Sequence, residues 1–216
     1  MSASKLAASL DEGSKHLLGR SLSPSESGHL HAYLDLLQRW NSAYNLTSIR
    51  DPGEMVVRHL LDSLSVLPFI GHGAVLDAGT GAGLPGVPLA ILKPEQQFTL
   101  LDSIGKKVRF LRQVKRELGL QNIQPVQARL ETHLPVQPYA VIISRAFSSL
   151  VDFAIGSRHL MVAGTRLLAM KGQDALAERR QLPAWIRVDS VQELAVPGLQ
   201  EQRHLVIMSL TPKSDL

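Results

Sequence analysis

The chain has 216 residues, 44% of them apolar and 19% charged, with 23 basic against 19 acidic side chains and a formal net charge of +4. That length buries a sizeable core, and 16 glycines with 12 prolines are ordinary usage, which excludes collagen-like and low-complexity classes. There is no cysteine, so disulfide scaffolds, thiolate metal sites and a cysteine nucleophile are excluded together.

At the start of the chain the apolar Leu6–Leu10 stretch stops at Asp11 and Glu12, too short for a secretory signal. No run approaches the ~20 apolar residues of a membrane span. A cytoplasmic protein without a membrane partner is expected. Ser23-Pro24-Ser25-Glu26 reads as a capping box with proline at the first helical position. Leu30, Leu34, Leu37, Trp40 and Tyr44 then recur at helical spacing. A second start signal at Asp51-Pro52-Gly53-Glu54 precedes Val56, Leu60, Leu61, Leu64 and Leu67, with Pro68 and Gly71 closing that helix. Two striped helices without a strand cannot bury themselves, so residues 1–72 are expected to form an extension packed on residues 73–216.

After Gly73 short apolar runs alternate with helical stretches. The runs are Ala74–Leu76, Phe98–Leu101, Ile123–Val126, Ala140–Ile143, Thr165–Met170, Ile186–Val188 and His204–Leu210, and the clearest helices are Lys106–Leu118 and Leu150–Leu160. This alternation predicts an α/β fold with a mostly parallel sheet covered on both faces. Pro197-Gly198 between the last two runs predicts an antiparallel hairpin at the sheet edge.

The most informative stretch follows the first strand: Asp77-Ala78-Gly79-Thr80-Gly81-Ala82-Gly83-Leu84-Pro85-Gly86. Residues 81–86 match the G-x-G-x-x-G dinucleotide fingerprint, whereas Asp77 with Gly79, Gly81 and Gly83 matches the acidic-first loop of S-adenosylmethionine enzymes. A pyrophosphate needs bare backbone donors at the helix start. Pro85 removes one donor, and Asp77 puts a carboxylate beside the turn. S-adenosylmethionine carries an ammonium and a sulfonium, which suit Asp77, and the glycines let the backbone approach closely. Asp102, ending the second strand, is expected to accept from ribose hydroxyls of either cofactor.

Further motifs follow in a fixed order. They are Leu37-x-x-Trp40-Asn41-x-x-Tyr44-Asn45-Leu46-Thr47, Arg58-His59-Leu60-Leu61-Asp62-Ser63, the glycine loop, Leu101-Asp102-Ser103 with Lys106-Lys107-x-Arg109-Phe110-Leu111, Ser144-Arg145-Ala146, and Lys171-Gly172-Gln173. From about Leu30 to Ile207 the chain resembles the bacterial small-subunit rRNA guanine-N7 methyltransferases, the glucose-inhibited division protein B family. The resemblance implies a class I S-adenosylmethionine-dependent methyltransferase fold, Rossmann-like. It implies methyl transfer to N7 of guanine 527, in the 530 loop of 16S rRNA. Carried over by position, the family's cofactor contacts fall on Gly79, Leu84, Leu130, Glu131 and Arg145. The chain departs from many relatives at Ala82, where they carry proline.

N7 of guanine already holds a lone pair, so no general base is assigned and in-line positioning carries the expected catalysis. Arg145, Lys171 and, more weakly, Arg203 are expected at the carboxyl edge of the sheet, binding RNA phosphate or guanine O6. The helix after Asp102 carries Lys106, Lys107, Arg109, Arg112, Lys115 and Arg116 against Glu117, a candidate phosphate-tracking face. The histidines suggest no metal site, and His59 beside Asp62 reads as structural. The expected partner is 16S rRNA in the small subunit or an assembly intermediate, with the enzyme a monomer. A methyltransferase on another RNA or a small molecule, and a catalytically silent RNA-binding module, remain the competing readings.

Overall fold

The computed structural model describes residues 3–145, 147, 149–172 and 178–212; Ala146 and Gln173 of the motifs above lie outside them. A first helix, α1 (Ala3–Leu18), precedes the two expected from sequence. In α2 (Pro24–Tyr44) the capping box forms: Glu26 N–H donates to Ser23 Oγ at 3.2 Å, and Ser23 N–H to the Glu26 carboxylate at 2.7 Å. The second expected helix is broken. It runs as α3 (Pro52–Met55), a π-helical turn over Val56–Leu61, α4 (Asp62–Leu64) and a 3₁₀ turn over Leu67–Phe69. Among the described residues no helix is long and apolar enough to cross a membrane.

The α/β core follows as β1 (Val75–Ala78), α5 (Gly86–Leu92), β2 (Phe98–Asp102), α6 (Gly105–Glu117), β3 (Ile123–Gln127), β4 (Val141–Ser144), α7 (Leu150–Ser157), β5 (Arg166–Lys171), β6 (Ile186–Glu193) and β7 (His204–Leu210). The seven strands lie in the order β3-β2-β1-β4-β5-β7-β6. The first five are mutually parallel; β7 runs antiparallel to both β5 and β6. The antiparallel pair closes the sheet as expected, but its second strand is the inner one. A bulge between Val188 and Ser190 lets β6 run past the short stretch expected from sequence.

Both sheet faces are apolar, as helices on both sides require. Val75, Phe98, Leu100, Val141, Ile143 and Leu168 join one cluster, which also holds Leu10 from α1 and Leu30, Tyr33, Leu34 and Leu37 from α2. Leu76, Ala78, Ile142, Leu167 and Ala169 join the other, under Phe153 of α7. The helices before residue 73 therefore share a core with the sheet. Trp40 of α2 stacks on Tyr44 (5.1 Å between centroids) and meets Phe110 of α6 at 5.6 Å.

One polar contact ties this extension to the glycine loop: buried Tyr33 donates its hydroxyl hydrogen to the Ala82 carbonyl at 2.8 Å. Tyr33→Phe strands that carbonyl, and the expected loss is about 1–2 kcal/mol in chemical denaturation. An unchanged midpoint would show that the bond contributes nothing.

Candidate functional site

The site lies where β1, β2, β4 and β5 end, the edge at which open α/β sheets receive ligands. Residues 79–85 turn there with Gly79, Gly81 and Gly83 at φ of 68°, 61° and 97°, a region that favours glycine. Three donors fix the turn. Thr80 N–H reaches the Leu101 carbonyl at 3.0 Å. Thr80 Oγ1 and Gly86 N–H donate to Asp77 Oδ2 at 2.6 and 2.8 Å. The first free donor of α5 is thus consumed by Asp77, and Pro85, which precedes it, has none. A pyrophosphate finds no seat at this helix start, which agrees with the reading against a dinucleotide.

Asp77 is fully buried, and its Oδ1 has no hydrogen-bond partner among the described residues. Burial, the larger influence, pushes its carboxyl up; the bonds from Thr80 and Gly86 pull it back, leaving it at about 6. A buried carboxylate oxygen without a donor fits a cationic ligand group arriving at this turn, directly or through water.

Asp102 already holds three donors: Oδ2 accepts Gly81 N–H at 2.9 Å and Lys107 Nζ at 3.3 Å, and Oδ1 accepts Ile104 N–H at 2.9 Å. It ties the glycine loop to the start of α6 and keeps about one of a carboxylate's four lone-pair sites for a hydroxyl. Beside it opens a cavity of about 260 Å³ lined by Gly79, Leu101 to Ile104, Lys107, Ala128 to Glu131 and Phe147. Leu130 and Glu131, on a 3₁₀ turn after β3, form its far wall. Of the candidate cofactor residues, Gly79, Asp102, Leu130 and Glu131 meet here. Asp77, Gly81 and Leu84 do not line it: Asp77 and Leu84 lie in the interior behind the loop, while Gly81 acts through its bond to Asp102.

The Arg145 side chain is not on this wall either. It lines a second cleft, of about 340 Å³, with Thr47, Ser48, Arg58, His59, Asp62, Lys171 and Arg203. All three cations expected to meet substrate therefore gather in one place. Asp62, 1% exposed, holds two of them: Arg145 Nη1 donates to Oδ2 at 3.0 Å and Arg203 Nε to Oδ1 at 3.3 Å. Arg145 Nη1 also reaches the Arg58 carbonyl, in the π-helical turn, at 2.9 Å. Lys171, on the same wall, is also held within the chain: it pairs with Glu178 at 2.8 Å and lies 3.5 Å from the Phe147 carbonyl, and Glu178 in turn accepts Leu150 N–H at 2.6 Å. These bonds join the segments that follow β4 and β5.

Sequence reasoning missed the role of Asp62, although it stands in the Arg58–Ser63 motif; the available signal was an acid inside an apolar helical stretch. His59 does not pair with Asp62. Its Nε2 bonds Thr47 Oγ1 at 2.9 Å, and burial, with the nearby Arg145 charge, lowers its pKa to about 4, so the ring is neutral. Among the described residues no three His, Asp or Glu side chains cluster as a metal site.

On α6 the six cations divide. Lys106 caps the Tyr44 carbonyl at 2.7 Å, Lys107 holds Asp102, and Lys115 reaches the Ile123 carbonyl at 2.7 Å. Arg109, Arg112 and Arg116 are exposed, spaced three and four apart on one face.

Comparison with known proteins gives the family and the fold. The family model described as rRNA small subunit methyltransferase G (GidB) matches residues 26–206. The protein of that name from Ectopseudomonas mendocina is 56% identical over 193 residues, 88% of this chain and 90% of its own. Its counterpart from Salmonella arizonae is 51% identical over 204 residues, 94% and 96% of the two chains. Among solved structures, a SAM-dependent methyltransferase from Aquifex aeolicus superposes with a TM-score of 0.59 at 18% identity, covering 76% of this chain and 96% of that one. TrmN from Thermus thermophilus does so with a TM-score of 0.56 at 19% identity, covering 72% and 53%. These two likenesses establish the class I methyltransferase fold.

Proposed function

The chain belongs to the rRNA small subunit methyltransferase G family, and from that premise we propose that it transfers a methyl group from S-adenosylmethionine to N7 of guanine 527 in the 530 loop of bacterial 16S rRNA. The observation that carries the reading is the pairing of two clefts at adjoining strand ends: one bordered by Asp102, Leu130 and Glu131, the other by Arg145 and Arg203. Residues 1–72 serve as an extension of the methyltransferase unit 73–216 and reach the cofactor loop through Tyr33.

When bound, S-adenosylmethionine supplies an electrophilic methyl group. Asp77 meets its ammonium with negative charge, directly or through water; Asp102 accepts from a ribose hydroxyl; Leu130 and Glu131 border the adenine. Gly79, Gly81 and Leu84 shape the turn against it. The chain needs no general base, because guanine N7 brings its own lone pair; its work is to hold that atom and the methyl carbon in line. Arg145 and Arg203 serve the RNA, and no metal takes part.

The test is transfer of labelled methyl to undermethylated small ribosomal subunits and to naked 16S rRNA, with the modified position mapped. Label at another position or on neither RNA, with cofactor binding intact, would overturn the assignment. The exposed arginines of α6 give a second measurement. If Arg109, Arg112 and Arg116 follow backbone phosphates, replacing all three by Gln reduces the log–log salt dependence of RNA binding by about 2, near 0.7 per contact. An unchanged slope would make them an ordinary solvated face.

A further inference from the structure

Three rings lead from the core to the surface at the end of α2. Phe110 of α6 is fully buried and Trp40 lies half-buried against it. Tyr44 stacks on Trp40 at 5.1 Å, with 29° between the ring planes. It is 39% exposed, and among the described residues no other Phe, Tyr or Trp is more than half-buried or buried. The backbone beneath it is fixed: Lys106 Nζ donates to the Tyr44 carbonyl at 2.7 Å. Asn45, at a left-handed φ of 47°, then turns the chain away from the helix axis. A ring held this way loses little freedom when something stacks on it.

The same ring stands between the two clefts. Thr47, three residues on, lines the arginine cleft. Ile104, two residues before Lys106 and 43% exposed, lines the cofactor cavity. Lys106 and Arg50, which donates to Asn45 Oδ1 at 3.3 Å, put two cations beside the ring.

We propose that Tyr44 is a stacking platform for one unpaired nucleobase of the substrate RNA, the neighbour of the target guanine, with Ile104 as an apolar ledge beside it. The inference rests on the RNA methyltransferase reading and adds a base-binding subsite to it. A guanine brought to the cofactor leaves its own stack, so its neighbour on the strand loses a partner. An aromatic face replaces that partner whatever the base. Contacts to phosphate do not do this, since they hold the strand and leave the base uncovered. An aromatic ring set among cations is the combination that single-strand binders use.

The experiment uses the full chain and a single-stranded oligoribonucleotide containing the target guanine, with 2-aminopurine placed in turn on each side of it. Wild type and Tyr44→Phe are expected to quench the 2-aminopurine at one of the two positions, and Tyr44→Ala at neither. Tyr44→Ala should bind the oligonucleotide roughly 5- to 100-fold more weakly, and Tyr44→Phe within twofold of wild type. The salt slope and the affinity for S-adenosylmethionine should not change, which separates stacking from a phosphate contact and from damage to the fold. Removing the quenched base, to leave an abasic sugar, should cost wild type the same factor and Tyr44→Ala nothing further. In methyl transfer, Tyr44→Ala should raise KM for RNA by that factor with kcat within threefold. No quenching at either position overturns the platform, as does a Tyr44→Ala loss that persists on the abasic strand. A salt slope lowered by about 0.7, the mark of one phosphate contact, overturns it too. Quenching by a wild-type chain that transfers no label would support the platform and sink the methyltransferase reading instead.

Discussion

Asp77→Asn is expected to abolish the pH dependence of S-adenosylmethionine binding. In the wild-type chain the carboxyl titrates near 6 because burial outweighs the bonds from Thr80 and Gly86. Only the ionised form attracts an ammonium, so affinity should fall as pH drops through 6. Asn accepts the same two hydrogen bonds without charge. The variant should therefore bind with a flat profile, weaker above pH 7 by roughly 10- to 100-fold, the equivalent of about 1.5–3 kcal/mol for a charge-assisted bond. Stability moves the opposite way. A carboxyl raised from 3.8 to about 6 on folding contributes most at low pH and loses that contribution as pH rises from 4 through 6. Across that window wild type should lose about 3 kcal/mol relative to Asp77→Asn. Calorimetric titrations at pH 5 and 8 measure the binding effect and denaturant midpoints at about pH 3.5 and 8 the stability effect; parallel profiles for the two proteins would place no cofactor charge at Asp77.

Gly86→Ala should be the more damaging change to the fold, although it is the better helix former at the start of α5. A Cβ there would lie 2.7 Å from Asp77 Oδ2 and 3.1 Å from its Cβ, and would run into the Leu100 side chain. All three partners are buried, so the clash has no easy outlet. The ~1 kcal/mol gained in helix propensity does not cover overpacking of about 1–3 kcal/mol or more plus the disturbed bonds to Asp77. We expect a net loss of about 2 kcal/mol and a cofactor affinity reduced at least tenfold. Gly28→Ala is the control: nothing lies within 4 Å of its Cβ position in α2, and it should gain about 0.5–1 kcal/mol. Equal effects from the two substitutions would show that crowding at Asp77 is not the cause.

These expectations locate where sequence reading reached and where it stopped. The strands were legible because both faces of a parallel sheet are apolar, and β7 fell on His204–Leu210 as the run predicts. The capping box at Ser23 is a local device and was readable locally. Helix α1 was missed because Asp11 and Glu12 interrupt its apolar run, while its burial through Leu10 depends on a partner far along the chain. The π-helical turn at Val56–Leu61 carries a pattern that an α-helix shares, so periodicity could not separate them. Residue types at the site were legible, but partners were not. Asp102, Lys171 and three α6 lysines proved to be engaged within the chain, and only coordinates show that Asp62 stands between Arg145 and Arg203. Charge in a sequence announces a possible bond without saying whether the bond is internal.

The place of β7 between β5 and β6 has a consequence for synthesis order. β6 has β7 as its one neighbour in the sheet, so while residues 186–193 are emerging from the ribosome they have no strand to join. β5 meanwhile presents the edge that β7 will cover, a row of open backbone groups inviting foreign strands. The five parallel strands can assemble once β5 is out, and the other two wait until residue 210 has been added. Nascent chains paused before residue 204 should therefore be the sticky ones, and the last strand to be made is the one that renders the sheet safe.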